Sequence, residues 1–224
     1  MKKKLVVFTG AGISKESGIP TFRDSDGLWE NHSIEEVATP QGWEKNPNLV
    51  LNFYNERRKH LKSCEPNDAH KILAELEKDY DVVVITQNVD NLHERGGSSK
   101  VIHLHGELTK ARNLTNDAIV DIGYDDITEV DNLRPHVVWF GENVLNLAEA
   151  RNISAEADVF VIIGTSLQVF PASELINYVP EESPIYLIDP NNLWLRNSRK
   201  INTIHEVATK GTKILREQLL KTPL

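Results

Sequence analysis

The apolar run Leu5-Val6-Val7-Phe8 breaks at once into Gly10-Ala11-Gly12-Ile13-Ser14, followed by Glu16-Ser17-Gly18-Ile19-Pro20-Thr21-Phe22-Arg23. A short run of this kind suits a strand buried on both faces, and a glycine turn at its end lets backbone N–H groups approach a pyrophosphate. Gly10 and Gly12 fit the first half of the GxGxxG dinucleotide fingerprint, but Lys15 stands at the third glycine position. The glycines alone therefore leave a purely structural turn open.

The same signature recurs downstream. Val82-Val83-Val84-Ile85 runs into Thr86-Gln87-Asn88-Val89-Asp90, and Val101 to Leu104 runs into His105-Gly106-Glu107. Val159 to Ile163 ends in Gly164-Thr165-Ser166, and Ile185 to Ile188 in Asp189-Pro190-Asn191. A last strand is expected near Ile201 to His205, ahead of an amphipathic helix through Ile214, Leu215, Leu219 and Leu220. The spacing predicts further helices: from an Asn46-Pro47 cap to about Lys62, from about Asn67 to Lys78 with Ala69, Ile72, Leu73 and Leu76 on its apolar face, around Asn143 to Ala155, and a short one from about Ala172. Alternating apolar strands and helices imply an α/β fold, a doubly wound, Rossmann-like parallel sheet covered on both faces. We expect one domain over residues 1–224, with a core of about 1–30, 80–106 and 137–224 and a small module of about 31–79 and 107–136. Residues 107–136 have little periodicity and read as an irregular insert, whereas Val137-Val138-Trp139-Phe140 is strand-like. Asp24-Ser25-Asp26-Gly27-Leu28-Trp29 reads either as a flap closing over a ligand or as a loop pinned by Trp29.

Composition narrows the function. The 224 residues are 40% hydrophobic, enough for a sizeable core, and the formal net charge of -8 with no basic stripe argues against nucleic acid as a partner. No apolar stretch approaches the ~20 residues needed to span a bilayer, and the apolar run near the start is too short for a signal peptide. A cytoplasmic monomer is the expectation. The single cysteine, Cys64, excludes an internal disulfide and a cysteine-based zinc module.

In a doubly wound sheet the ligand lies outside the carboxyl ends of the strands, so the polar groups that follow each strand should converge. Glycine turns can receive a pyrophosphate, the small hydroxyls and Asp189 can bind ribose, and amides with an acid can hold a carboxamide. His105 has an ordinary pKa suited to general-base work near neutrality, while His103 reads as a structural turn histidine. On the helix after Pro47, Val50, Tyr54, Arg57 and Leu61 share one face. By itself that pattern suits an arginine snorkelling at the core edge, or a paired anion clamp.

Five segments together resemble one family. They are Gly10 to Arg23, Thr86 to Arg95, His103-Leu104-His105-Gly106-Glu107-Leu108, Arg134-Pro135-His136-Val137-Val138-Trp139-Phe140-Gly141-Glu142, and Gly164 to Ala172. In this order they are similar to the sirtuins, NAD-dependent lysine deacylases, and Tyr54 with Arg57 matches the Tyr-x-x-Arg pair of the bacterial and mitochondrial subgroup that removes succinyl and malonyl groups. The resemblance implies that Gly10, Ala11, Gly12 and Arg23 hold NAD, that Phe22 caps the reacting ribose, and that Gln87 and Asn88 orient it. It further implies that Asp90 binds the carboxamide, that His105 deprotonates a ribose hydroxyl, and that Gly164, Thr165 and Ser166 contact the adenosine side, with Asp189 and Ala208 at the adenine. Trp29, Val89, Pro190 and Asn191 complete the expected cofactor-binding set. Tyr54 and Arg57 would clamp an acyl carboxylate, and Val138, Trp139 and Phe140 would take the peptide backbone of an acyl-lysine protein by β-augmentation. Free lysine, nicotinamide and O-acyl-ADP-ribose would be the products. Mono-ADP-ribosyl transfer or NAD hydrolysis from the same site, and an NAD sensor without turnover, are the alternatives. Two departures stand out: the insert lacks the family's zinc-ribbon cysteines, so no metal is expected, and Asp189 replaces the usual asparagine.

Overall fold

The computed structural model describes residues 2–20, 28–29, 32–128, 131–192 and 199–221, with Leu28 and Trp29 described in backbone only. Phe22, Arg23 and most of the expected flap lie outside them. In chain order the elements are β1 (Lys4–Thr9), β2 (Leu28–Trp29), β3 (His32–Ser33), α1 (Ile34–Val37), α2 (Pro40–Lys45), α3 (Pro47–Ser63), α4 (Asp68–Glu75), β4 (Asp81–Thr86) and α5 (Leu92–Arg95). Then follow β5 (Val101–His103), β6 (Gly106–Asn113), β7 (Ile119–Asp121), β8 (Leu133–Val137), α6 (Leu147–Ala155), β9 (Val159–Ile163), β10 (Ile185–Ile188), β11 (Ile201–Ile204) and α7 (Ala208–Lys221). A 3-10 segment, Ala172–Tyr178, stands where the short helix was expected.

Six parallel strands form the main sheet in the order β11-β10-β9-β1-β4-β5. Strand side chains alternate, and both faces of β1 are apolar: Leu5 and Val7 pack with α4 and α7, Val6 and Phe8 with α6 and the 3-10 segment. Because β1 sits between β4 and β9, the connection order reverses on either side of it. A crevice therefore opens beyond Thr9, Thr86 and Ile163, at the carboxyl ends of these three strands.

The second body is a three-stranded antiparallel sheet, β7-β6-β8, packed with α1 to α3. This corrects the reading of 107–136 as irregular. Strand β6 reads Gly-Glu-Leu-Thr-Lys-Ala-Arg-Asn with a register shift between Gly106 and Ala111, and every residue of β7 is exposed, so neither strand carries an alternating apolar signal. Buried polar bonds tie this sheet to α3. Asn55 Nδ2 donates to Ile127 O at 2.9 Å and Asn55 Oδ1 accepts Ile127 N–H at 3.0 Å. The fully buried Arg58 donates from Nε to Asp125 O at 3.0 Å and also to Asn55 Oδ1.

Smaller differences also have physical causes. Strand β8 stops at Val137: the Val138 N–H still meets His105 O at 2.9 Å beside the Gly106–Val137 pair, but the next two N–H groups turn to Glu142 Oε2 and Ala38 O, so the strand expected over Val137 to Phe140 does not continue. Helix α6 starts at Leu147 instead of Asn143. Helix α4, assigned by sequence to the small module, packs on the main sheet through Ala69, Ile72, Leu73 and Leu76. On α7 the buried face is Ala208, Leu215 and Leu219, leaving Ile214 and Leu220 outside. No helix of the described residues is long and apolar enough to cross a membrane.

Candidate active site

A cleft of about 1220 Å³ runs between the strand ends and the small module. Every described residue assigned to the site from sequence lines it: Gly10, Ala11, Gly12, Tyr54, Arg57, Gln87, Asn88, Val89, Asp90, His105, Val138, Trp139, Phe140, Gly164, Thr165, Ser166, Asp189, Pro190, Asn191 and Ala208. Phe22, Arg23 and the Trp29 side chain lie outside the described residues. Lys15, His60, Glu142 and Phe170 also line the cleft and were not singled out by sequence.

The glycine turn does more structural work than its sequence suggests. Gly10 N–H donates to Ile163 O at 3.0 Å and Gly12 N–H to Gly164 O at 2.9 Å, so neither is free to receive a phosphate. A Cβ on Gly12 would sit 2.6 Å from Gly164 Cα, so the loops after β1 and β9 can interlock only without side chains there. The N–H groups of Ala11, Thr165 and Ser166, by contrast, donate to no described group and remain available at the cleft. Gln87 accepts from Thr165 Oγ1 at 2.7 Å, leaving its buried Nε2 without a partner among the described residues. An orphaned amide donor beside three available N–H groups fits a phosphorylated, ribose-bearing ligand, so the residues present fit NAD.

Deeper in, Ser14, Asn88 and Asp90 form one buried cluster. Ser14 Oγ donates to Asp90 Oδ2 at 3.0 Å and accepts from Asn88 Nδ2 at 3.2 Å, while Asp90 Oδ1 accepts Leu92 N–H at 3.1 Å. Burial raises the Asp90 pKa, and the Leu92 and Ser14 hydrogen bonds oppose it. Sequence reasoning left Ser14 unassigned although it stands inside the glycine turn; a small hydroxyl at a strand end was the available signal.

Two histidines two residues apart are held in opposite charge states. His105 Nδ1 lies 3.0 Å from Gln87 O, and a carbonyl can only accept, so the ring proton sits on Nδ1 and Nε2 is bare. Burial lowers the His105 pKa, which keeps that lone pair free at neutral pH. His103 meets Asn88 O through Nδ1 at 3.0 Å and the Glu94 carboxylate through Nε2 at 2.8 Å, so both nitrogens must donate. Burial works against the cation, but the Glu94 hydrogen bond and charge prevail and its pKa is raised. His103 is a buried cation and His105 a neutral base.

On the small-module side of the cleft, Tyr54 and Arg57 are buried on α3, with the Arg57 guanidinium 5.6 Å from the Phe53 ring centroid. The expected peptide edge is only half available. The N–H groups of Val138, Trp139 and Phe140 go to His105 O, Glu142 Oε2 and Ala38 O, so only carbonyls there could meet an incoming strand. Asp189, at the end of β10, accepts from Asn191 N–H at 2.9 Å and Nδ2 at 3.1 Å, which forms a tight turn at the edge of the cleft. Among the described residues no group of three or more His, Cys, Asp or Glu side chains could hold a metal ion.

Comparison with known proteins bears on the family and the fold. A model of the Sir2 family matches residues 10–171. An NAD-dependent protein deacylase of Bacteroides thetaiotaomicron is 49% identical over 234 residues, covering 99% of this chain and 100% of the relative. One of Helicobacter pylori is 49% identical over 225 residues, covering 98% of each. Among solved structures, a mutant Sir2 homologue in complex with ADP-ribose superposes with a TM-score of 0.88 at 37% identity, over 100% of this chain and 95% of the other. A Sir2–p53 peptide–NAD+ complex gives 0.81 at 27% identity, over 99% and 95%. Sequence and three-dimensional similarity both extend over nearly the whole length, and the chain belongs to the Sir2 family.

Proposed function

We propose that the protein is an NAD-dependent protein-lysine deacylase whose acyl pocket favours short acidic acyl groups such as succinyl and malonyl. The observation that carries the reading is the cleft itself, lined both by a neutral His105 with a bare Nε2 and by the buried Tyr54–Arg57 pair. Relatives at about 49% identity named NAD-dependent protein deacylase support the activity.

NAD, when bound, supplies the ADP-ribosyl group that accepts the acyl chain and nicotinamide as the leaving group. The chain's own residues divide the remaining work. Ala11, Thr165 and Ser166 N–H groups, with Gln87 Nε2, hold phosphate and ribose oxygens. Asp90, kept in place by Ser14 and Leu92, accepts from a carboxamide. His105 removes a ribose-hydroxyl proton at Nε2 and spreads the resulting charge toward Gln87 O through Nδ1–H. Arg57, a planar cation, suits a carboxylate at the far end of the acyl chain better than it suits an acetyl methyl. Acyl-lysine proteins would enter along the Val138–Phe140 carbonyls.

The test is mass spectrometry of succinyl-lysine and acetyl-lysine peptides incubated with the protein, with and without NAD. Acyl loss that requires NAD and yields O-acyl-ADP-ribose, faster on the succinyl peptide, is expected. Intact peptides with NAD consumed would instead indicate ADP-ribosyl transfer or hydrolysis, and intact peptides with NAD only bound would indicate a sensor.

A further inference from the structure

Trp139 is 2% exposed, and its indole N–H donates to the Tyr54 hydroxyl oxygen at 3.0 Å. The indole itself is held from several sides. The Arg134 guanidinium carbon lies 3.7 Å from the ring centroid, and Arg134 is fixed by hydrogen bonds to both Glu142 oxygens at 2.7 and 2.9 Å and to Val137 O at 3.0 Å. Glu142 Oε2 also accepts the Trp139 backbone N–H at 2.8 Å. A cation over the indole face and a carboxylate on its backbone leave the ring little freedom.

A phenol has one proton and two lone pairs. With the indole N–H directed at its oxygen, Tyr54 must turn its own proton away from Trp139, and no described group accepts that proton. Burial pushes the Tyr54 pKa up to about 12, so the proton stays on. The available donor lies in the wall that Arg57, one turn along α3, also lines.

The geometry points to Trp139 as a positioning residue for acyl selection: braced by Arg134 and Glu142, it aims the Tyr54 O–H at the carboxylate of an acidic acyl group. This inference rests on the acidic-acyl reading above. It also gives Trp139 a task other than pairing with the substrate backbone, for which its N–H is already occupied.

The measurement is the ratio of kcat/KM for a succinyl-lysine peptide to that for an acetyl-lysine peptide, at saturating NAD, in a double-mutant cycle. Trp139→Phe removes the indole donor but keeps a ring beneath Arg134. In the native background the ratio should fall about tenfold, mostly through KM for the succinyl peptide, as expected for a misdirected hydrogen bond to a charged group. In a Tyr54→Phe background, Trp139→Phe should leave the ratio where Tyr54→Phe alone put it. An equal fall in both backgrounds would mean that Trp139 acts independently of Tyr54, and no fall in either that the tryptophan is merely structural and affects both substrates alike; either outcome would overturn the proposal. If Tyr54→Phe and Arg57→Met leave the ratio unchanged, the acidic-acyl reading itself fails, and this inference fails with it. Should Trp139→Phe not fold, Arg134→Lys, which loosens the indole without removing it, takes its place in the cycle with a smaller fall expected and the same dependence on Tyr54.

Discussion

The two walls of the cleft are built by opposite means. At the cleft the central strands β1, β4 and β9 of the main sheet present polar groups where they stop, and behind them stand Leu5, Val6, Val7 and Phe8, none of them exposed. The small module instead carries polar groups through its interior: Asn55 and Arg58 hold the 125–127 segment, and Arg134 and Glu142 hold Trp139. An apolar layer tolerates small shifts of its neighbours, whereas a buried hydrogen-bond network loses free energy as soon as one partner is missing. In the function proposed above, chemistry would be mounted on the first kind of wall and acyl selection on the second.

Replacing His105 with Ala is expected to have the largest effect, since it removes the base without touching either wall. Deacylation should fall by about 10² to 10⁴ with NAD binding retained, checked by rate assay and calorimetry. A small loss of rate would mean that the strand ends do not carry the proton transfer. Breaking the polar wall comes next: Arg58→Met should cost about 3 kcal/mol, because Asn55 and the Asp125 carbonyl lose a charged donor. Urea titration measures the loss, and hydrogen exchange should show it concentrated in residues 106–137, with the main sheet still protected. Uniform loss of protection would mean that the walls unfold as one. Arg57→Met should lower desuccinylation about tenfold or more relative to deacetylation, and equal losses on both substrates would remove the clamp.

A pH titration sharpens the comparison further. Burial lowers the His70 pKa to about 4 and that of His93 well below the usual value. A histidine that resists protonation when folded stabilises less as pH falls, because the unfolded chain takes up the proton first. Stability should therefore drop from about pH 6.5 toward 4, whereas the raised pKa of His103 contributes stability that is complete below about pH 6.5 and is lost as pH rises above it. His70→Gln should flatten the slope of Tm against pH over that window. The smallest effect is expected from chelation: EDTA should change neither Tm nor rate, and a loss of either would reveal a metal that the donor set does not suggest.

How much could be read in advance follows the same division. The six-stranded sheet was legible because β1, β4, β9 and β10 each hold a continuous apolar run followed by glycine or a polar turn, a pattern that requires no knowledge of its neighbours. Helix α3 was legible from its Asn46-Pro47 cap and its four-three-four spacing. The three-stranded sheet was not, because the residues that hold it, Asn55, Arg58, Arg134 and Glu142, are of types usually found at the surface. The convergence of Gln87, His105 and Thr165 could be inferred from strand ends alone. That Gly10 and Gly12 use their N–H groups within the protein, or that the Trp139 indole N–H belongs to Tyr54, depends on contacts between distant segments that no local pattern encodes.

Gly106 has φ +81°, and a Cβ there would lie 2.1 Å from His136 O, so the chain can pass from one sheet into the other at this point only as glycine. The residue just before it is His105, whose ring is held by Gln87 O in the large body and whose carbonyl is held by Val138 N–H in the small one. His105 is thus a fulcrum shared by both bodies. A shift of the small sheet by a fraction of an ångström would twist His105 against its own ring anchor, so if His105 is the base proposed above, poor assembly of the small body would be felt as slowed proton transfer before it appeared as unfolding.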